Sequence, residues 1–154
     1  MCPTALEVGP GLTALPAVRE DPPGSGPLAA LVAGADALAA AGPPTRVLVL
    51  AVDLPFVEAP LLRWLVEHPA AGAVVPRVDG VPQPLCARYG AADLDAARRR
   101  RAAGAASLRA LLDAIPVTYV DEAAWVDVAD RRALADVDTP DAVTRAGLAW
   151  PPPA

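Results

Sequence analysis

Apolar residues recur along this chain in two rhythms, and the points where one gives way to the other mark its elements. Thr4-Ala-Leu-Glu-Val8 reads as a short strand, stopped by Gly9-Pro10-Gly11. A polar turn region from Arg19 to Gly26 leads to Pro27, which opens a helix running to Ala41. Proline suits the first helical position, where a missing N–H costs nothing. Gly42 and Pro43-Pro44 end that helix. Arg46 to Val52 follows as a continuously apolar run, the pattern of a central parallel strand covered on both faces. Pro60–Glu67 reads as a short helix, Ala73–Pro76 as a strand, Val78-Asp79-Gly80-Val81 as a turn and Pro84–Tyr89 as a further strand. Ala91–Ala103 and Ser107–Ala114 are helical, with Ser107 an N-cap. Val117–Val120 is a strand and Ala133–Val137 a last short one. Thr139-Pro140 opens a closing helix to about Ala146, ahead of a tail at Pro151–Pro153.

Helices alternating with buried strands predict an α/β architecture with a mostly parallel sheet. In such sheets ligands sit in the crevice at the carboxyl ends of the strands, so residues just after strands carry most of the functional information. No internal repeat or dividing linker is visible. Residues 1–150 therefore read as one domain and 151–154 as a Pro-rich tail, in keeping with a length of 154. Hydrophobic residues make up 54% of the chain, ample for a core.

Charge then removes several function classes. The 18 acidic residues against 13 basic ones leave a formal charge of −5, the wrong sign for a nucleic-acid face. Aromatic residues are only 4%, too few for a base-stacking platform. Every basic residue is Arg, so chemistry that needs a lysine ammonium from this chain is excluded. Cys2 and Cys86 form neither a disulfide framework nor a metal-ligand spacing, which fits a reducing cytoplasm. The first basic residue is Arg19, so the charged start of a secretory signal is missing. Leu28–Ala41, interrupted by Asp36, is too short to span a bilayer, so no membrane association is expected.

Three features could carry chemistry. Asp53 directly follows the apolar run, and Leu54-Pro55 turns the chain away. A carboxylate there could hold Mg²⁺ on a nucleoside triphosphate, or could simply cap the helix near Pro60. The loop Arg19-Glu-Asp21-Pro-Pro-Gly-Ser-Gly26-Pro27-Leu28 has small residues that let a ligand approach the backbone. It enters a helix N-terminus, which favours anions; an ordinary Pro/Gly connection is the competing reading. Asp136 and Asp138 lie two apart and share a face of an extended segment. Asp138 could reach the same metal as Asp53, while Thr139, Pro140 and Asp141 together make a good helix start with no further function. Arg98–Arg101 reads as a solvated helix end and His68 as structural. Serine catalysis has no supporting motif.

Taken in order, these features resemble the molybdenum-cofactor guanylyltransferase family and its MobA-like nucleotidyltransferase relatives. Val49-Leu-Ala-Val-Asp53-Leu-Pro55-Phe56 is similar to the family's strand ending in a metal-binding Asp-x-Pro. Glu20-Asp21-Pro-Pro-Gly-Ser-Gly26-Pro27-Leu28 resembles its nucleotide loop, and Pro82–Tyr89 the segment facing the acceptor. Ser107–Leu112 is similar to a common helix of the family, and Asp136-Val-Asp138-Thr-Pro-Asp141 to its closing motif. The resemblance implies a three-layer Rossmann-like nucleotidyltransferase fold. It also implies transfer of GMP from GTP to molybdopterin, or its molybdenum-bearing form, with Mg²⁺ and release of pyrophosphate. It makes Asp53 the catalytic, metal-holding residue, puts Asp21, Gly26, Pro27 and Leu28 at the nucleotide with it, and sets Asp138, with Asp136, near the metal or the pterin phosphate. A CTP-using cytidylyltransferase and a non-catalytic nucleotide- or pterin-binding relative are the alternatives. Transient contacts with other molybdenum-cofactor proteins are a further implication. Family members begin with a strand and a Leu-Ala-Gly-Gly…Asp-Lys phosphate loop; here Ala5–Pro10 resembles their second strand, with Gly9 where some carry Asn. The expectation is therefore a chain truncated at its N-terminus relative to the family. It should lack the first strand and the phosphate loop, turn over poorly as given, and expose a sheet edge that invites self-association.

Overall fold

Strand side chains alternate between the two faces of a sheet, and here that alternation sorts them into two separate cores. The computed structural model describes residues 5–11, 13–40 and 42–148. Thr4 at the start of the first expected strand, Cys2, Ala41 and the 151–154 tail lie outside the described residues. Two short strands come first, β1 (Glu7–Val8) and β2 (Ala17–Val18), then helix α1 (Pro27–Ala39), β3 (Arg46–Leu50) and α2 (Ala59–Glu67). A hairpin of β4 (Ala73–Val78) and β5 (Val81–Pro82) precedes β6 (Cys86–Gly90), α3 (Ala91–Ala102), α4 (Leu108–Leu112) and β7 (Val117–Val120). Helix α5 (Glu122–Trp125), a 3-10 turn at Arg131–Leu134 and α6 (Pro140–Arg145) complete the described chain.

One core lies between the sheet and α1, α3 and α4: Leu28, Leu31, Val32, Leu94, Leu108 and Leu111 pack on Ala73, Val75, Ala87 and Tyr89, with Val47 and Val49 beside them. The opposite core gathers Leu61, Leu65 and Trp125 around Val74, Cys86 and Val120, with Leu48 joining from β3. Consecutive strand residues thus serve opposite cores, and the result is the expected three-layer α/β domain. Trp125, fully buried, belongs to a four-residue helix too short to show a period in sequence.

The pairing is less parallel than the sequence suggests. β6 runs antiparallel to β3, with Arg46 opposite Gly90, and antiparallel to β4 through Val74 and Arg88. β4 pairs in parallel with β7, and antiparallel with β5 across the Asp79-Gly80 turn. β3, β4 and β7 therefore share one direction, and a reversed β6 is inserted between β3 and β4. β1 and β2 form a separate parallel pair, seated under α1, where a Cβ on Gly34 would come within 2.9 Å of Val8 Cγ2.

β3 departs from the central position its composition predicts. Both its faces are covered, but among the described residues it pairs on one side only, with β6. It also ends at Leu50, which is 42% exposed, and Val52 is 93% exposed. Apolar composition reports covered faces; it says nothing about whether both hydrogen-bonding edges are taken. The Ala133–Val137 strand is likewise absent: a 3-10 turn at Arg131–Leu134 leads into an unpaired connection.

One buried charge locks the middle of the sheet. Arg88 of β6 is 2% exposed. Its Nη1 donates to Val66 O (3.3 Å) and His68 O (2.7 Å), and its Nη2 to Gly72 O (2.8 Å) and to Ala70 O. Burial lowers its pKa, the nearby Arg46 adds to that effect, and Asp93 opposes it. Arg46 Nη1 reaches the same Val66 carbonyl at 2.8 Å, so two cations meet the negative end of α2. Asp93, also buried, accepts from Gly90 N at 2.8 Å at the start of α3. Burial pushes its carboxyl upward, while the Gly90 amide and Arg88 pull it back.

Two outcomes follow from these observations. Arg88→Met removes the guanidinium from the His68, Ala70 and Gly72 carbonyls, leaving Val66 O to Arg46, and should lower stability by about 3 kcal/mol or more, read as a drop in the urea midpoint at unchanged slope. The open β3 edge should make the chain associate as its concentration rises. Leu50→Lys, which places a charge on that edge, should suppress the rise in mass seen by sedimentation velocity.

Candidate active site

Three strands of the sheet hand the chain to an acidic residue at their carboxyl ends, and the three acids meet different fates. Asp79 follows β4 and pairs with Arg131 Nη2 at 2.8 Å. Asp121 follows β7 and lies 3.6 Å from Arg77 Nη1. Asp53, three residues past β3, has no ion pair or side-chain hydrogen bond with any described residue, and it is half-buried. It does not cap the next helix, whose N-cap is Glu58. A half-buried carboxylate left without a counter-charge, in a sheet that neutralises its other strand-end acids, is an available ligand.

The closing motif comes to the same place. Val137 N donates to Asp53 O at 2.8 Å, so the 136–138 segment lies along the Asp53 turn although 84 positions separate Asp53 from Val137. Val137 is half-buried while Asp136 and Asp138 are both exposed, as the two-residue period requires. Thr139 Oγ1 then accepts from Ala142 N at 3.1 Å and caps α6, with Pro140 in the first turn. Capping is thus realised at Thr139, and the backbone of Val137 two residues earlier meets the Asp53 turn.

The Asp21 loop is built by its own polar contacts. Glu20 Oε1 accepts from Gly24 N at 2.9 Å, and that amide holds the Glu20 carboxyl below its ordinary pKa. Ser25 Oγ donates to Pro22 O, and the Asp21–Pro22 peptide is cis. Arg101 Nη2 donates to Asp21 O at 2.6 Å, tying the loop to α3 and leaving the Asp21 carboxylate outward. Gly26 takes φ +90°, and a Cβ there would meet Ala106 O at 2.9 Å, so only glycine fits. Pro27 is exposed at the first helical position. Leu28, expected at a nucleotide, is fully buried and its N–H is bonded to Ala106 O at 3.1 Å. It positions the loop and offers a ligand no free amide. A cleft of about 280 Å³ beside the loop is lined by Gly9, Pro10, Arg19, Glu20 and Pro23.

Among the described residues no hydrogen bond or ion pair joins the Asp21 loop to Asp53. A larger opening of about 470 Å³ between α1 and α3 touches neither. Its Arg98 is held by Asp36 and Asp95, each at 2.8 Å, and its Arg101 by Asp21 O, so the basic run serves the scaffold. His68 is structural too: its Nδ1 accepts from Ala70 N at 3.3 Å and its ring meets Trp64 edge-on. The free thiol of Cys86 is buried, and burial pushes it up to about 12. Sequence reasoning passed over Arg132 and Phe56: the Arg132 guanidinium lies 4.4 Å above the Phe56 ring, three residues after Asp53.

Among the described residues no group of three or more His, Cys, Asp or Glu is arranged to hold a metal ion. Asp53 with Asp138 offers two hard carboxylates, the usual protein share for Mg²⁺, which takes its remaining ligands from substrate phosphates and water. The donor set therefore fits Mg²⁺ arriving with a nucleotide and not a metal bound by protein alone. No helix of the described residues is long and apolar enough to cross a membrane.

The MobA-like NTP transferase domain model matches residues 6–121, which include Asp21, Gly26 and Asp53 and stop short of Asp138. The fold is similar to molybdopterin-guanine dinucleotide biosynthesis protein A from Archaeoglobus fulgidus: TM-score 0.70, 25% identity, over 87% of this chain and 67% of that one. It is similar to a protein from Aquifex aeolicus at TM-score 0.64 and 19% identity, over 81% of this chain and 63% of that one. It is also similar to 2-C-methyl-D-erythritol 4-phosphate cytidylyltransferase from Thermus thermophilus: TM-score 0.56, 23% identity, over 94% of this chain and 76% of that one. The chain thus spans about two thirds of the first two proteins. No curated protein matches it.

The cap at Thr139 gives a direct check on how the closing motif is held. Thr139→Ala should cost about 1 kcal/mol of stability, read from the urea midpoint, with Thr139→Ser recovering most of it.

Proposed function

Because the chain belongs to the MobA-like NTP transferase family, we propose that it is a nucleotidyltransferase of molybdenum cofactor synthesis, moving GMP from GTP to molybdopterin and releasing pyrophosphate. The observation that carries this reading is the Val137 N to Asp53 O bond, which sets the Asp138 segment against the unpaired carboxylate at the end of β3. The A. fulgidus protein, whose name specifies molybdopterin-guanine dinucleotide synthesis, supports the choice of acceptor and base. In this reading Asp53 and Asp138 hold Mg²⁺, which when bound neutralises phosphate charge and polarises the α-phosphorus. Asp21, backed by Gly26 and Pro27, contacts the nucleotide, and the cleft lined by Gly9 and Arg19 takes its base or ribose.

The reaction asks little covalent chemistry of the protein. An oxygen of the acceptor phosphate forms a bond to the α-phosphorus of GTP. The bond from that phosphorus to the bridging oxygen breaks, and pyrophosphate leaves with the electron pair. Catalysis is then positioning and stabilisation of charge that grows on the leaving group. Asp53 would hold the metal ion, whose charge would offset that of the phosphates, and its turn is braced by Leu54, which is buried in the α2 core. The proposal includes a reducing cytoplasm, where a free buried thiol such as Cys86 persists.

Titration of the chain with GTP, with and without Mg²⁺, tests the assignment. Asp53→Ala should abolish the Mg²⁺-dependent part of GTP binding while leaving circular dichroism and the urea midpoint unchanged, and Asp138→Ala should weaken it. The same titration with CTP and ATP reads the base preference. Equal Mg²⁺-dependent affinity in wild type and Asp53→Ala would overturn the assignment.

A further inference from the structure

We propose that Arg132, stacked on Phe56, is the anion-holding residue on the acceptor side of the Asp53 crevice and takes a phosphomonoester group. The proposal deepens the nucleotidyltransferase reading and rests on it for the identity of the ligand. Asp53, Asp136 and Asp138 make this end of the sheet acidic, in a chain that is itself at −5. A dianionic phosphate approaching it is repelled unless a cation meets it, and the chain has no lysine to offer.

The arginines of the surrounding loops divide sharply. Arg131 pairs with Asp79 at 2.8 Å and with Glu122 at 3.2 Å. Arg77 is 3.6 Å from Asp121 and lies 4.0 Å over the Tyr119 ring. Arg132 has neither an ion pair nor a side-chain hydrogen bond among the described residues. Its one described side-chain contact is the Phe56 face, at 4.4 Å. An aromatic ring under a guanidinium attracts the cation and fixes its plane while leaving the N–H edge unspent. That edge matches two phosphate oxygens, as a paired arginine could not.

Chain geometry ties this cation to the reacting end. Phe56 follows Asp53 by three residues, and Arg132 precedes Asp136 by four, in the segment that Val137 bonds to Asp53. The 3-10 turn carrying Arg132 is fixed by Asp130 Oδ1, which accepts from Arg132 N at 2.8 Å, and by the buried Ala133 and Leu134. The stack and the Asp53 turn therefore belong to the same two chain segments, joined by the Arg132–Phe56 contact and by the Val137 N to Asp53 O bond.

The test uses the whole chain and inorganic phosphate as the probe, following arginine Nε–Hε resonances by NMR. The Arg132 resonance should shift and saturate. Arg132→Gln should weaken phosphate binding by about tenfold or more, and Phe56→Leu, which keeps the charge but removes the stack, by about threefold. Arg63→Gln, on the exposed side of α2, is the control and should leave the affinity unchanged. An Arg132 resonance that does not move, or an Arg132→Gln affinity equal to wild type, would overturn the proposal. If phosphate saturates Arg132 while GTP binding proves indifferent to Asp53, the anion site stands and the nucleotidyltransferase reading falls.

Discussion

A guanidinium sealed inside the protein sets the geometry on which the rest depends. Arg88 serves the carbonyls of residues 66, 68, 70 and 72, every second one along the connection from α2 to β4. A desolvated cation is costly unless its donors are all met, so the connection has little freedom to move without exposing the charge. It thereby fixes the end of α2 to the start of β4 and both to β6, whose five residues are all buried. Gly90 completes the arrangement: a Cβ there would lie 3.1 Å from Ala71 O, so the strand can approach the connection this closely because the residue has no side chain.

From β6 the constraint passes to the site. β3 is held in register on β6 over all five of its residues, and Ala51 N extends the contact to Leu85 O at 2.7 Å. The chain leaves that strand in a turn braced by Leu54, and the Asp53 carbonyl accepts from Val137 N of the C-terminal segment. Asp79 and Asp121 are met by arginines, Asp53 is not, and Arg132 is parked on an aromatic face. Asp53 and Arg132 are thus charges of opposite sign with no ion pair to a described residue, on two segments joined by the Val137 N to Asp53 O bond.

The Asp21 loop belongs to a different part of the scaffold. It is anchored by α1 through Leu28 and Ala106 and by α3 through Arg101, on the face of the sheet opposite α2. Neither of the two described clefts is lined by Asp21 or by Asp53.

Much of this was legible before the structure. The α/β class, the limits of α2, α3 and β7, and the caps at Ser107 and Thr139 all follow from neighbours a few residues apart. Side-chain period and capping chemistry are local properties, and sequence displays them directly. What sequence could not display were relations between distant segments. The resemblance implied an exposed sheet edge, but the apolar run of β3 showed two covered faces and did not reveal that β3 carries that edge among the described residues, because a face is recorded in side chains and an edge in backbone groups that every residue carries. The reversed insertion of β6 is invisible for the same reason. Leu28 was expected at the nucleotide, and only the packing of α3 and α4 against α1 shows it buried in the core. Which acids keep a free charge, and that Arg132 would find Phe56 and not a carboxylate, were decided by tertiary contacts, since neutralisation depends on what the fold brings within a few ångströms and not on the residue itself.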